Sequence, residues 1–173
     1  GLAARLGVQP PLQLRAFAPG DETALLQVFR SAIPQTAARD YTPAQREAWA
    51  PADLDPAAFG TRLRHNQPWV ALWDGKPVGF ADLQADGLID QFYVAATHAA
   101  QGVGQALMDH LLAQAQARTL PTLRANVSLT AEGFFARNGF TVVERCTPVR
   151  NGVALRNAAM QRPLAPAAYN PAA

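Results

Sequence analysis

The stretch Gln101-Gly-Val-Gly-Gln-Ala106 carries residue types and spacing that suggest chemistry most directly. From Gln105 on, "QALMDHLLAQAQA" reads as a strong amphipathic helix, yet Gly102 and Gly104 stand at its start. Glycine costs about 1 kcal/mol against alanine in a helix interior, so a pair of them requires a reason. Two readings stand: a flexible turn, or close approach of backbone amides to an anion. The first N–H groups of a helix have no partner within it, and the positive end of the dipole lies there, so phosphate or pyrophosphate binds well. Glycines remove the Cβ that would hold such a ligand away.

Two common glycine patterns do not fit. A P-loop closes on Gly-Lys-Ser/Thr, whereas Gly104 is followed by Gln105 and Ala106. A dinucleotide fingerprint begins directly after a strand, has a third glycine, and ends its next strand on an acid. Here seven residues separate Val94 from Gly102, Leu107 fills the third position, and "TLRANV" ends without a carboxylate.

The elements that must position these glycines follow from periodicity and turn chemistry. "LQLRAF" (12–17) alternates as a half-buried strand should. A helix follows with Asp21 as N-cap, an apolar face of Leu25, Leu26, Val28, Phe29 and Ile33, and Pro34 as its end. Thr42 with Pro43 predicts a second helix start, and "LDPAAFGTRLRHNQ" a third helix with Pro56 early. Residues 68–94 read as three strands with turns at Asp74-Gly75 and Asp86-Gly87. Then come the glycine-opened helix (102–117), the strand "TLRANV", the helix "TAEGFFARNG" and the strand "FTVVERCTPV". A last hairpin turns at Asn151-Gly152 into "VALRNAAMQRPL". That order is α/β with a mixed sheet, not the strict alternation of a doubly wound fold.

At 173 residues the chain is expected to be one domain, 1–164, with a Pro/Ala-rich tail at 165–173. Arginines are scattered rather than striped and Lys76 is the sole lysine, so nucleic acid is not expected as a partner. No apolar run has the length of a membrane span, so no membrane is expected either. The single cysteine, Cys146, suits a reducing compartment, and the cytoplasm is the expected location. No His, Cys and carboxylate spacing predicts a metal site: His65 and His110 read as helix-surface residues, and His98 as a neighbour of solvent or phosphate.

"AAQGVGQALMDHLL" resembles the acetyl-CoA pyrophosphate loop of the GNAT N-acetyltransferases, Arg/Gln-x-x-Gly-x-Gly/Ala. "IDQFYV" looks like the family's fourth strand, and "SLTAEGFFARNGF" is similar to its segment Asn-x-x-Ala-x-x-Phe-Tyr-x-x-x-Gly-Phe. The resemblance runs along nearly the whole chain. It implies a mostly antiparallel sheet, splayed between strands four and five and flanked by helices. There are departures: Ala99 replaces the usual Arg or Gln, Ser128 a common Asn, and Phe135 the Tyr that acts as general acid in many relatives.

The implied reaction is direct attack of a primary amine, on a small molecule or a protein, on the thioester of acetyl-CoA. The resemblance places Phe92, Tyr93 and Val94 at the acetyl and pantetheine end, with an oxyanion donor near Val94. Amides from Gln101 through Gly102, Val103, Gly104, Gln105 and Ala106 hold the pyrophosphate. Asn126 and Ser128 flank the arm, and Phe134, Phe135 and Arg137 lie nearer the CoA side. Asp90 stands where the family often carries the base. It equally closes the hairpin after Asp86-Gly87, and Tyr93, a second catalytic candidate, equally fits as a core aromatic.

The acceptor site is expected under the early helices, with Tyr41, Trp49 and Trp69 as its lining. Asp40, Glu47, Asp53 and Asp55 either attract an amine there or form a solvated helix face. The alternative function is an acyl-CoA-binding module that does not turn over, and a homodimer paired through the last hairpin is possible.

Overall fold

The computed structural model describes residues 11–36 and 38–165, so the expected tail lies, past Ala165, outside the described residues. Strand β1 (Leu12–Ala16) forms where apolar and polar residues alternate, and pairs antiparallel with β2 (Trp69–Trp73). Between them run three helices. In α1 (Glu22–Thr36) the Asp21 carbonyl accepts the first helical bond from Leu25, but the Asp21 carboxylate turns back to Arg15 (2.7 and 2.9 Å) and the Ala18 amide (2.8 Å). The helix also continues past Pro34. Proline removes one ladder donor, which Leu25, Leu26, Phe29 and Ile33 offset by burying their face of α1 in the core.

Helix α2 (Pro43–Trp49) opens on a complete capping box, Thr42 accepting from the Gln45 amide and Gln45 from the Thr42 amide. Helix α3 (Pro56–Asn66) is capped by Asp55, whose side chain accepts from Ala57 N at 3.0 Å. Strand β3 (Lys76–Ala81) follows β2 through Asp74 and Gly75, both at positive φ (49° and 81°), the tight mirror-image turn expected of this pair.

The third strand of the run departs from expectation. It is broken into β4 (Leu88–Ile89) and β5 (Phe92–Val94), which face different partners. β5 pairs antiparallel with β3, whereas β4 pairs in parallel with β6 (Thr122–Ser128). Asp86-Gly87 therefore sits in a wider loop rather than a two-residue hairpin, with Gln84 N donating to Leu88 O at 2.8 Å.

Helix α4 (Val103–Ala117) crosses from β5 to β6, and α5 (Glu132–Arg137) leads to β7 (Thr141–Cys146). A small hairpin, β8 (Val149–Arg150) and β9 (Val153–Ala154), turns at Asn151-Gly152 before β10 (Asn157–Pro163). β10 lies between β6 and β7, so β7 is the open edge. The strand orders β1-β2-β3-β5 and β4-β6-β10-β7 join through the broken strand.

Helices cover both faces. Phe29 and Phe59 stack against Phe80 and Tyr93 on one face. On the other, α4 lies close against the sheet at Gly79, where an added Cβ would come within 3.1 Å of Val103 and 3.2 Å of Leu107. Among the described residues no helix is long and apolar enough to cross a membrane, and no group of three or more His, Cys, Asp or Glu could hold a metal ion.

Candidate active site

The break in the central strand is made by polar groups. Asp82, fully buried after β3, accepts the amides of Asp90 (2.9 Å) and Gln91 (2.8 Å) and the Gln84 side chain (2.9 Å). Burial pushes the Asp82 carboxyl above its ordinary 3.8, opposed by those three hydrogen bonds. The two amides it holds belong to the residues between β4 and β5. Asn66, also buried, donates to Asp90 (2.7 Å) and Gln91 (3.3 Å), tying the end of α3 to the same point.

Past this point the sheet opens. β4 pairs with β6 only at Leu88–Arg124 and Ile89–Ala125, so Asn126 to Ser128 have no partner on that side. Ala95 N donates to Val78 O (2.7 Å) and Asp82 N to Gln91 O (3.2 Å). By antiparallel alternation the backbone polar groups of Phe92 and Val94 then turn away from β3, toward the gap.

A mainly apolar cavity of about 660 Å³ occupies the gap on the α4 side. Gly102 and Gly104 line it, and each has a distinct reason to be glycine. Gly102 is the N-cap at φ +86°, a left-handed conformation costly for other residues, and nothing lies within 4 Å of where its Cβ would be. Gly104 is inside the helix, and its Cβ would stand 3.6 Å from Phe134 and 3.7 Å from Val94, filling space between the cavity walls. The backbone conformation alone accounts for Gly102, whereas neither backbone nor packing accounts for Gly104, where a side chain would only narrow the cavity.

The other expected cofactor residues divide by placement. The amides of Val103, Gly104 and Gln105 are the helix's open donors, but Ala106 N is already bonded to Gly102 O at 3.0 Å, so it has no donor to offer a ligand. The Val103 side chain packs in the core, and Gln101 lies outside the cavity lining. Gln105 bridges Asp109 (2.8 Å) and Asn138 (2.9 Å), fixing α4 to the end of α5. Phe92, Tyr93, Val94, Ser128, Phe134 and Arg137 all line the cavity. Phe135, buried like its neighbour Phe140, also borders it and packs against the half-buried rings of Phe92 and Phe134. Thr130, which the sequence reading passed over, brings a buried hydroxyl oxygen without a hydrogen-bond partner to the same cavity.

A second, more polar cavity of about 240 Å³ opens on the α1–α3 side. Asn126 belongs to this one rather than to the α4 side. Tyr41 forms a wall: its hydroxyl donates to Arg156 O (2.6 Å) and accepts from Leu129 N (2.9 Å), and its ring meets Trp49 edge-on. Trp69 corrects the expected lining, since it packs on His110 of α4 with ring centres 4.2 Å apart and borders neither cavity. Its position on β2 directs it to the α4 face, as alternation opposite Val70 requires. Asp40, Glu47, Asp53 and Asp55 do not line the cavity; Asp55 caps α3, and Glu47 accepts from Ala52 N at 3.0 Å.

Asp90 faces this cavity, but not as a free carboxylate. Arg62 Nε and Nη2 donate to its two oxygens at 2.8 and 2.9 Å, and the Arg62 guanidinium followed by Asn66 holds its pKa below the ordinary 3.8 despite partial burial. Burial pushes the Tyr93 phenol above its ordinary 10, opposed by a hydrogen bond from the Trp49 side chain and the charges of Arg62 and Arg150. Trp49, Tyr93 and Ser128 line both cavities, so the two meet there.

A profile of the acetyltransferase (GNAT) domain matches residues 37–161. The chain is 33% identical over 134 residues to YafP, an uncharacterized N-acetyltransferase of Escherichia coli (strain K12), covering 78% of this chain and 84% of YafP. A GCN5-related N-acetyltransferase of Rhodopseudomonas palustris superposes with a TM-score of 0.85 at 36% identity, over 91% of this chain and 98% of that one. The Salmonella typhimurium protein yncA, solved with its cofactor acetyl-CoA, has the same fold (TM-score 0.67, 20% identity, 95% and 100% covered). The chain belongs to the GNAT acetyltransferase family.

Proposed function

We propose that the protein is an N-acetyltransferase that moves the acetyl group of acetyl-CoA to a primary amine by direct attack. The observation that carries this reading is the meeting of two cavities at Trp49, Tyr93 and Ser128, one with a glycine-opened anion seat and one with charged groups. The amides of Val103, Gly104 and Gln105 would hold the pyrophosphate, with Arg137 on the same cavity supplying the cation that Ala99 lacks. Ser128 and Thr130 bring hydroxyls to the pantetheine arm, and the gap-facing backbone of Phe92 and Val94 gives it strand-like partners.

Bound acetyl-CoA supplies a thioester carbonyl open to nucleophilic attack. Val94 N–H, turned into the gap, is the donor for the oxygen that gains charge. Phe135 has no proton for the departing thiolate, and Tyr93 takes that role. Its phenol, held above its ordinary 10, is protonated at neutral pH; as the C–N bond forms and the C–S bond breaks it gives its proton to the sulfur and regains the one the attacking nitrogen sheds, so the products are the amide and the free thiol. Asp90 keeps acceptor capacity on Oδ1 beyond its bond to Arg62 and so receives the acceptor's ammonium. Its lowered pKa makes it a weak base, so loss of the amine's own proton sets the pH dependence.

Acetyl-CoA incubated with a panel of primary amines, with free thiol and product mass as readouts, tests the reading. Amine-dependent thiol release with a product gaining one acetyl group supports it. Tight acetyl-CoA binding with no amine-dependent release from any panel member contradicts it and leaves an acyl-CoA-binding module.

A further inference from the structure

We infer that the acceptor amine carries an anionic group, a carboxylate or a phosphate, which Arg150 and Arg156 receive; this rests on the acetyltransferase reading of the same cavity. A site for a simple cationic amine would be acidic. Here the lining holds Arg62, Arg150 and Arg156 against one carboxylate, Asp90. Asp90 is already matched by Arg62 at 2.8 Å, which leaves two arginine charges in excess. Among the described residues neither Arg150 nor Arg156 has a side-chain hydrogen bond or ion-pair partner.

The fold brings these two residues to the lining of one cavity. Arg150 closes β8 and Arg156 follows β9 of the hairpin, whose turn at Asn151-Gly152 takes φ of 49° and 75°. The backbone of Arg156 is anchored there by its carbonyl, which accepts from Tyr41 at 2.6 Å, and its exposed side chain leaves from this fixed point on the cavity lining. Asn157, next in sequence and on the same lining, adds a third unpartnered group: its side-chain oxygen is buried without a hydrogen-bond partner. Two guanidinium groups without partners suit an anion, and the vacant Asn157 oxygen, an acceptor, suits the ammonium, so together they fit a molecule with an amine and an anion close together. Phe29, Leu54 and Phe59 on the same lining suit an apolar side chain on it.

Matched pairs differing only in the anion provide the test: L-phenylalanine against L-phenylalaninamide, and phosphoethanolamine against ethanolamine, each with saturating acetyl-CoA. The expected result is a kcat/KM about 10- to 100-fold higher for the anionic member of at least one pair, the size of a charge-assisted hydrogen bond. The pair that responds tells carboxylate from phosphate. Arg150→Gln and Arg156→Gln should each erase most of that preference through KM, with the acetyl-CoA dissociation constant unchanged. Neutral members equal to or better than anionic ones in both pairs would overturn the inference while leaving the acetyltransferase reading intact. A C-terminally amidated peptide acetylated faster than every pair member would also overturn it, pointing to a protein N-terminus as acceptor. If no pair turns over, calorimetry of both anionic amines into the CoA-bound protein decides, and no binding overturns it. Absence of acetyl-CoA binding is a different failure, that of the reading beneath.

Discussion

At the scale of single residues, Tyr93 carries the sharpest expectation. Removing its hydroxyl leaves Phe, which keeps the ring contacts to Phe29 and Phe80 but has no proton to give. Tyr93→Phe should lower kcat by about 100-fold, the usual size of general-acid catalysis, with the acetyl-CoA dissociation constant within a factor of two or so of wild type. Steady-state thiol release beside calorimetry reads both quantities. For Asp90, kcat/KM should rise with pH as the amine deprotonates, and Asp90→Asn should lower the plateau about 10-fold without moving that limb. The same carboxyl also has a stability signature. Its folded pKa is depressed by Arg62, so its contribution is present above the ordinary 3.8 and lost as the pH falls beneath it. The pair is part-exposed, so the effect is at most about 1 kcal/mol. Melting temperatures of wild type and Asp90→Asn should therefore differ at pH 7 and converge in acid.

These residues were unequally legible in the sequence. The glycine pair stands out by its own spacing at a helix start, and Asp90 and Tyr93 are reached through the resemblance of the strand just before it to a known family. Arg62, Arg150, Arg156 and Asn157 do not stand out, because their convergence depends on contacts such as Tyr41 to Arg156 that no periodicity encodes. The nearest signal was the Asn151-Gly152 turn, which predicts a hairpin with an arginine on each side but not what it folds against.

At the scale of elements, the break between β4 and β5 is what makes a site out of a sheet. Asp82 holds the two amides at the break, and no other described group takes its place. Asp82→Ala should cost about 2–3 kcal/mol, since one buried and one part-buried N–H lose their acceptor, and should raise KM for both substrates as the gap loses its shape. Chemical denaturation and steady-state kinetics check the two parts. Asp82→Asn keeps an oxygen and should recover part of both. Local devices such as the Thr42–Gln45 capping box and the Asp74-Gly75 turn were legible because a few neighbouring residues determine them. The broken strand was not, since β4 takes its parallel partner from Thr122–Ser128, over thirty residues on, and alternation alone reads 88–94 as one strand. Trp69 failed for a related reason: which sheet face it occupies depends on the register of β2 with β3.

At the scale of the whole molecule, the account rests on one claim: the cavity beside α4 is built to take the CoA pyrophosphate at the glycine-opened helix start. Gly104 isolates that claim, because its Cβ would make only ordinary contacts with Phe134 and Val94 and a larger side chain intrudes mainly on the cavity. The most direct measurement is isothermal titration of acetyl-CoA into wild type and Gly104→Val, with NAD as the control ligand and circular dichroism to confirm the fold. Binding of acetyl-CoA but not NAD to wild type, weakened at least about 100-fold (near 3 kcal/mol) in a folded Gly104→Val, is the predicted result. Equal acetyl-CoA affinity in the two proteins would contradict it, leaving the glycines as nothing more than the start of a helix.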